Sequence, residues 1–426
     1  MSQTSFEIRP IFHPLHAVVR VPGSKSLTNR LLLITALADG STTLRNALFS
    51  DDSRYFAESL KLLNFTVESH PGESTYKISG LGGDIPARAA SLFVGNAGTA
   101  ARFLTALLTL GYGGFDLNGD ARMRQRPIGD LVSALAQLGA QVSSANGYPP
   151  VQITASGLTG GRASVSGDVS SQFLSGLLMV APYARSSVEL TVKGGLNSRP
   201  YIDMTLAVMA EFGVQVECSD YQEFIINSQH YHTPGEYIIE SDATAASYFF
   251  AAPAICGGTV RVVNISRRSK QGDLAFLDIL ARMGCTVREG EDWLEVSGTS
   301  ELRGVEVDLR DIPDTAQTLA AIAPFATTPS LLRGIASARL KETDRVSAVC
   351  TELSRLGVKV EEYPDGLTIN PCHSFRSAEI CTYNDHRMAM AFSLIGLRVP
   401  VVTILDPDCV SKTFPNYYEV IEQLRS

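Results

Sequence analysis

The chain has 426 residues, 45% of them hydrophobic, enough for two or three domains with cores of their own. A net charge of -8 argues against a general nucleic-acid binder, and no apolar run is long enough to span a membrane. The first residues, "MSQTSFEIRPIFHPLH", have no apolar core like that of a signal peptide. Phe6 to Ile11 reads as a strand with no partner in the first half of the chain. Then "HAVVRVPGSKSLTN", from His16, ends a strand at Pro22 and Gly23 and opens a helix with Ser, Lys, Asn and Arg at its start.

From there the chain repeats itself. "LLLITALADGSTTLRN" reads as an apolar helix, a turn and a strand. Its counterparts are "RFLTALLTLGYGGFDLNG", "FLSGLLMVAPYARSSVELTV", "SYFFAAPAICGGTVRVVN", "TLAAIAPFATTPSLLRG" and "AMAFSLIGLRVPVVTILD". These helices are apolar almost all round, so each is expected to be buried on every side. A second, amphipathic helix follows in each copy. In "DLAFLDILARMG", Leu274, Leu277, Leu280 and Met283 fall on one stripe, with Asp273, Asp278 and Arg282 off it. Those second helices close on a common column, Asn64, Gly139, Gly213, Gly284 and Gly357, at intervals of 75, 74, 71 and 73 residues. Gly or Asn there suits a left-handed helix C-cap, and a strand should follow. A sixth copy, "VIEQLRS", places Arg425 in that column.

Each unit therefore reads as strand, buried helix, strand, amphipathic helix, strand. "PGEYIIESDATAA", residues 234–246, reopens the pattern of the segment from His16, which suggests two equivalent halves. The expected division is 21–237 for one domain and 1–20 plus 238–426 for the other, the N-terminal segment completing the C-terminal half.

Seven cysteines lie between Cys218 and Cys409 with no CxxC pair. Such a scattered, odd set suggests free thiols in a reducing compartment, mostly small buried residues, and no metal site. A cytoplasmic location is expected.

The buried helices begin with "GSKSLTNR", "GNAGTAAR", "GDVSSQ", "ESDATAAS", "DIPDTAQT" and "YNDHRM", rich in N-capping residues. Five of the six amphipathic helices carry Lys or Arg around their starts. A cation there opposes the helix dipole by about 0.3–1 kcal/mol when exposed, so recurrence makes little sense for stability and makes sense if an anion is bound. Eleven of the 36 basic residues fall in these loops: Lys25, Arg30, Arg102, Arg122, Arg124, Arg126, Arg199, Lys341, Arg345, Arg387 and Lys412. The expected ligand is small and carries several phosphate or carboxylate groups. "GNAGTA" matches neither common nucleotide-binding glycine pattern.

These motifs, with "RMRQRPIG", "SSQF", "RPYIDMT", "RLKETDR" and "KTFPNY" in order, resemble the 5-enolpyruvylshikimate-3-phosphate synthase family along essentially the whole chain. The resemblance implies a two-domain inside-out α/β barrel with three βαβαβ-type repeats per domain and the active site in the interdomain cleft. It implies transfer of the enolpyruvyl group of phosphoenolpyruvate to the 5-hydroxyl of shikimate 3-phosphate, with no metal or cofactor. By motif, shikimate 3-phosphate would be held by Lys25, Ser26, Arg30, Ser170, Ser171, Gln172, Ser198, Tyr201, Asp314, Ser337 and Lys341. Phosphoenolpyruvate would be held by Lys25, Asn96, Gly98, Arg102, Arg126, Gln172, Arg345, Arg387 and Lys412. Guanidinium forks suit both the carboxylate and the phosphate. The catalytic set would be Asp314, Glu342, Lys25, Asp385 and His386. Two carboxylates poised in different protonation states fit an addition and elimination that moves two protons.

Two positions depart from the family pattern: Phe103 where a proline is common, and Ser337 where an asparagine is. The resemblance also implies competition between glyphosate and phosphoenolpyruvate, and Gly98 leaves room for either. A monomer is expected. The nearest alternative is the sister family acting on UDP-N-acetylglucosamine. It usually carries a cysteine about five residues before an Arg-Pro pair; here that position is Ala121 and no cysteine precedes Cys218. A non-catalytic repeat ring binding a polyanion is the other alternative. It has no use for Asp314 and Glu342 among the cations.

Overall fold

A computed structural model describes residues 4–425. The chain forms two compact units. An N-terminal unit runs from Gly23 to Ile239, and a C-terminal unit comprises the residues up to Pro22 and from Glu240 onward. Each has its own hydrophobic core.

The helices, in order, are α1 (Lys25–Leu37), α2 (Asp51–Leu62), α3 (Gly98–Leu108), α4 (Gly129–Gln137), α5 (Ser171–Val180), α6 (Arg199–Glu211), α7 (Ala243–Cys256), α8 (Phe276–Arg282), α9 (Ala316–Ile322), α10 (Arg345–Arg355), α11 (His386–Gly396) and α12 (Tyr417–Glu422). The odd-numbered helices are the apolar ones, and every residue of α3, α7, α9 and α11 is buried. The even-numbered helices bury one face; in α10 Val346, Val349 and Leu353 are buried while Thr351, Ser354 and Arg355 are not. Asn64, Gly139, Gly213, Gly284 and Gly357 all have positive φ, as a left-handed cap requires. Arg425 instead ends a short 3-10 turn, Gln423–Arg425.

Among the described residues the strands form six small sheets, five of four strands and one of three. In one of them Ala89–Phe93 runs parallel to Tyr112–Asn118, which pairs antiparallel with Tyr148–Ser156, and Gln141–Ala145 closes the edge. Each full repeat thus ends in a hairpin rather than in the single strand expected from the sequence. The turn at Asn146-Gly147, φ +54° and +84°, is the signal for it, since that dipeptide favours a two-residue hairpin.

The first strands belong to the C-terminal unit. Ser5–Ile8 pairs antiparallel with Val402–Leu405, and Leu15–Val19 pairs parallel with Gly258–Val263. Glu236–Ile238 pairs parallel with Asp39–Arg45 in the N-terminal unit. At both crossings, therefore, the strand that precedes a buried helix stays with one unit while its helix belongs to the other.

Two expectations need correcting. Asp273 is buried, not off the stripe, because it sits in a 3-10 turn (Gly272–Ala275) ahead of α8, where helical phase does not hold. All seven cysteines are free, but only Cys256, Cys285 and Cys350 are buried, and Cys218 is exposed. Among the described residues no helix is long and apolar enough to cross a membrane.

Candidate active site

In the N-terminal unit the loop before α1 is fixed by Gly23, where a Cβ would lie 1.7 Å from the Asn46 carbonyl oxygen. Ser24 caps the helix; its hydroxyl accepts from the Leu27 N–H at 3.4 Å. Lys25 opens the first turn with its ammonium 3.8 Å from the buried Asp52 carboxylate. One turn on, Arg30 is 2% exposed. Its Nε donates to Thr205 Oγ1 (2.8 Å), Nη1 to the Ser26 carbonyl (3.0 Å), and Nη2 to Ser175 Oγ (3.2 Å) and the Tyr201 carbonyl (2.9 Å). Among the described residues no carboxylate pairs with it. Burial therefore pulls the guanidinium down to about 10, and it remains a cation at neutral pH. It lies 5.4 Å from the centre of the Phe103 ring, so the departure at 103 gives this cation an aromatic face.

The glycine turn before α3 places Asn96, Gly98 and Arg102 together with Arg126. Arg126 Nη1 donates to the carbonyl and to the Oδ1 of Asn96, each at 3.0 Å. Arg102 donates to the Gly98 carbonyl (3.0 Å) and the Pro127 carbonyl (2.8 Å). A Cβ on Gly98 would lie 2.4 Å from Arg126 Nη2 and 2.7 Å from Arg102 Nη1. Ser170 caps α5, its hydroxyl accepting from the Gln172 N–H at 3.3 Å, and Ser171 follows it, buried. Gln172 Nε2 donates to Thr99 Oγ1 at 3.1 Å, which ties the start of α5 to that of α3. Ser198, ahead of α6, holds a left-handed backbone, φ +59°, sparsely populated by residues other than glycine.

In the C-terminal unit Asp314 lies in a 3-10 turn (Pro313–Thr315) that leads into α9. Ser337 lies, half-buried, in another (Ala336–Leu340) that leads to Lys341 and Glu342 ahead of α10. Asp385 caps α11 by accepting from the Arg387 N–H at 2.9 Å. These elements close an ionic network. Asp314 accepts from Lys341 Nζ (2.5 Å), Arg345 Nη1 (3.0 Å) and Arg387 Nη2 (2.7 Å). Arg345 also donates to Glu342 Oε2 at 2.6 Å and forks onto Asp385 at 2.7 and 3.2 Å. Lys412 Nζ is 3.9 Å from Glu342 Oε1. Burial alone would lower the Arg345 guanidinium, but Asp385, Glu342 and Asp314 outweigh it and push it up. Asp385 and His386 are fully buried, the imidazole Nδ1 3.6 Å from an Asp385 oxygen, so neither reaches solvent.

The structure thus gathers Lys25, Ser26, Arg30 and Tyr201 in one cluster, and Asn96, Gly98, Arg102, Arg126, Ser170 and Gln172 around the starts of α3 and α5. It gathers Asp314, Lys341, Glu342, Arg345, Asp385, His386, Arg387 and Lys412 in a third. Arg124 and Arg199 are exposed; Arg124 donates to Asn118 Oδ1 at 3.1 Å, and Arg199 lies 5.6 Å from the Tyr221 ring. Sequence reasoning missed Asp52, Thr99, Ser175 and Thr205. The hydroxyls of Ser175 and Thr205 were legible only as polar residues inside otherwise apolar helical stretches.

The chain matches the family model described as "EPSP synthase (3-phosphoshikimate 1-carboxyvinyltransferase)" over residues 11–421. It is 49% identical over 407 residues to a Trichormus variabilis protein named 3-phosphoshikimate 1-carboxyvinyltransferase, covering 95% of each chain. It is 50% identical over 411 residues to a Shewanella baltica protein of the same name, covering 96% of each. Its fold is similar to that of EPSP synthase from Acinetobacter baumannii, with a TM-score of 0.83 and 25% identity over 99% of this chain and 98% of that one. With its two units of buried helices and small sheets and the cations at its helix starts, the chain belongs to the EPSP synthase family.

Proposed function

We propose that this chain transfers the enolpyruvyl (carboxyvinyl) group of phosphoenolpyruvate to the 5-hydroxyl of shikimate 3-phosphate, releasing phosphate, as a step of the shikimate pathway. Family membership supports the reading, and one geometric observation carries it. Asp314 and Glu342 both accept from the same guanidinium, Arg345, at 3.0 and 2.6 Å, and both keep slight access to solvent, 15% and 6% of the side chain. A passive anion site has no use for two carboxylates there; an addition followed by an elimination needs both.

In the addition, the 5-hydroxyl oxygen bonds to C2 of phosphoenolpyruvate, its proton passes to Asp314, and Glu342 delivers a proton to C3. In the elimination, the bond from C2 to the phosphate oxygen breaks and Glu342 takes a proton back from C3. The C2–C3 double bond re-forms, and the proton held by Asp314 leaves with the phosphate. Lys25, Ser26, Arg30, Ser170, Ser171, Gln172, Ser198, Tyr201, Ser337 and Lys341 serve shikimate 3-phosphate in this scheme. Asn96, Gly98, Arg102, Arg126, Arg345, Arg387 and Lys412 serve phosphoenolpyruvate, with Lys25 and Gln172 shared. Arg30 has one Nη1–H left over for a ligand, since its other donors are used within the protein. Asp385, fully buried, acts by holding Arg345 and capping α11 rather than by touching substrate, with His386 buried beside it.

The test is phosphate release with both substrates and with each omitted in turn. Release that needs both is the expected result; release from phosphoenolpyruvate alone, or with UDP-N-acetylglucosamine in place of shikimate 3-phosphate, would refute it. Glyphosate should inhibit, and a curve flat to millimolar concentration would contradict the assignment of Gly98. We further infer that the protein works as a monomer in the cytoplasm, which sedimentation and cell fractionation can check.

A further inference from the structure

Glu352 lies on α10, two turns beyond Arg345, and its side chain is fully buried. No motif singles it out, and the reaction does not use it. A buried carboxylate is costly unless hydrogen-bonded, so its partners matter. The Tyr383 hydroxyl donates to Oε1 at 2.5 Å and the Cys381 N–H donates to Oε2 at 3.2 Å; the Arg355 guanidinium stands 3.6 Å from Oε2. Burial and the Glu352 carboxylate together push the Tyr383 phenol up, which keeps it a donor.

What Glu352 holds is the tight turn that leads into α11. Tyr383 and Asn384 both have left-handed φ, +55° and +53°, in a turn closed by the Asp385 N–H donating to the Thr382 carbonyl at 2.9 Å, and a bulky residue such as Tyr383 rarely takes that conformation. The next residue is Asp385, which forks onto Arg345 at 2.7 and 3.2 Å. Helix α10 therefore carries Arg345 at its first residue and, two turns later, the anchor for the loop that delivers the partner of Arg345. We propose that Glu352 and Tyr383 form a latch that fixes the loop of residues 381–384 so that Asp385 presents both oxygens to Arg345, making Glu352 a positioning residue for the anion site. The inference rests on the reading that Arg345 holds phosphoenolpyruvate.

Tyr383→Phe removes the hydroxyl from a ring that is 39% exposed, so the variant should fold. Glu352→Gln removes the charge at nearly constant volume. Each is expected to raise the KM for phosphoenolpyruvate about fivefold, the loss of roughly one hydrogen bond of alignment, with the KM for shikimate 3-phosphate unchanged. The double variant should be no worse than the worse single one, because the two groups act as a unit. A merely structural role would lower the unfolding temperature and shift both KM values together, and that result would overturn the proposal. So would an unchanged KM for phosphoenolpyruvate in Tyr383→Phe, which decides the matter if Glu352→Gln does not fold. Arg345→Lys separates the two levels. An unchanged KM for phosphoenolpyruvate in that variant would sink the reading of Arg345 itself. A rise there with none in Tyr383→Phe and Glu352→Gln would sink the latch alone.

Discussion

In the N-terminal unit Arg30 sits among hydroxyls and carbonyls, whereas in the C-terminal unit Arg345 touches three carboxylates. Both guanidinium groups are almost wholly buried. The first is an uncompensated cation that an anionic ligand can neutralise. The second is compensated before any ligand arrives, and two of the carboxylates that compensate it, Asp314 and Glu342, are the ones proposed for proton transfer. A buried charge can thus serve as a store of binding energy or as a scaffold for other charges, and its partners show which.

The comparison breaks most visibly at the carboxylates. Asp314→Asn should lower kcat about a hundred- to ten-thousand-fold while the protein still binds shikimate 3-phosphate by calorimetry. Near wild-type turnover would remove Asp314 from the chemistry. Next in size, Arg345→Met takes the guanidinium fork from fully buried Asp385 and the nearest cation from Glu342, while Asp314 keeps Lys341 and Arg387, so urea unfolding should show a loss of about 3–5 kcal/mol. Arg30→Met removes a desolvated cation along with its hydrogen bonds. It should cost less than half as much stability while raising the KM for shikimate 3-phosphate about tenfold or more. Equal stability losses in the two variants would erase the distinction between the units.

The ordinary arginine stays charged well above pH 11, but burial lowers Arg30 to about 10. As pH rises through 10 the cation is lost, so affinity for shikimate 3-phosphate should fall there, and Arg30→Met should flatten that fall. A smaller effect is expected at Gly98. Gly98→Ala pushes on Arg126 and Arg102, both at the ends of flexible side chains. It should raise the KM for phosphoenolpyruvate and the inhibitory glyphosate concentration about tenfold without changing shikimate 3-phosphate binding. The smallest effect is at sulfur. Burial raises the Cys256 and Cys350 thiols to about 12 and Cys285 to about 11, and partial burial raises half-buried Cys409 to about 12, so alkylation at pH 8 should label exposed Cys218 first and leave turnover intact. Rapid inactivation by thiol reagents would overturn this, placing one of the seven cysteines against the site.

Much of this was legible because repetition carries it. The column from Asn64 to Gly357 marks five left-handed caps, and the all-apolar segments mark the buried helices. The cations were legible as a recurrent violation of the helix dipole. The second strand of each hairpin was less legible because these strands are short and lack the helices' apolar run, although Asn146-Gly147 announces one of them. The burial of Asp273 was missed because a 3-10 turn breaks the helical phase used to predict its side. Glu352 and Asp52 were missed for a different reason. Each looks like an ordinary charge on an amphipathic helix, and only the packing of distant segments, Tyr383 on one and Lys25 on the other, gives it a partner.

The pairing of Ser5–Ile8 with Val402–Leu405 has a consequence for how the protein is made. The whole N-terminal unit, Gly23 to Ile239, can fold while the segment before it waits for partners still to be synthesised. During that interval two short β segments present open edges, the state most exposed to wrong pairing. Arg425 already reaches the Pro10 carbonyl at 3.1 Å, so the last described residue packs against the segment that follows the first strand. A circular permutant that starts at Gly23 and carries the first 22 residues after the last would keep every strand pair. It would shorten the wait from most of translation to its final moments.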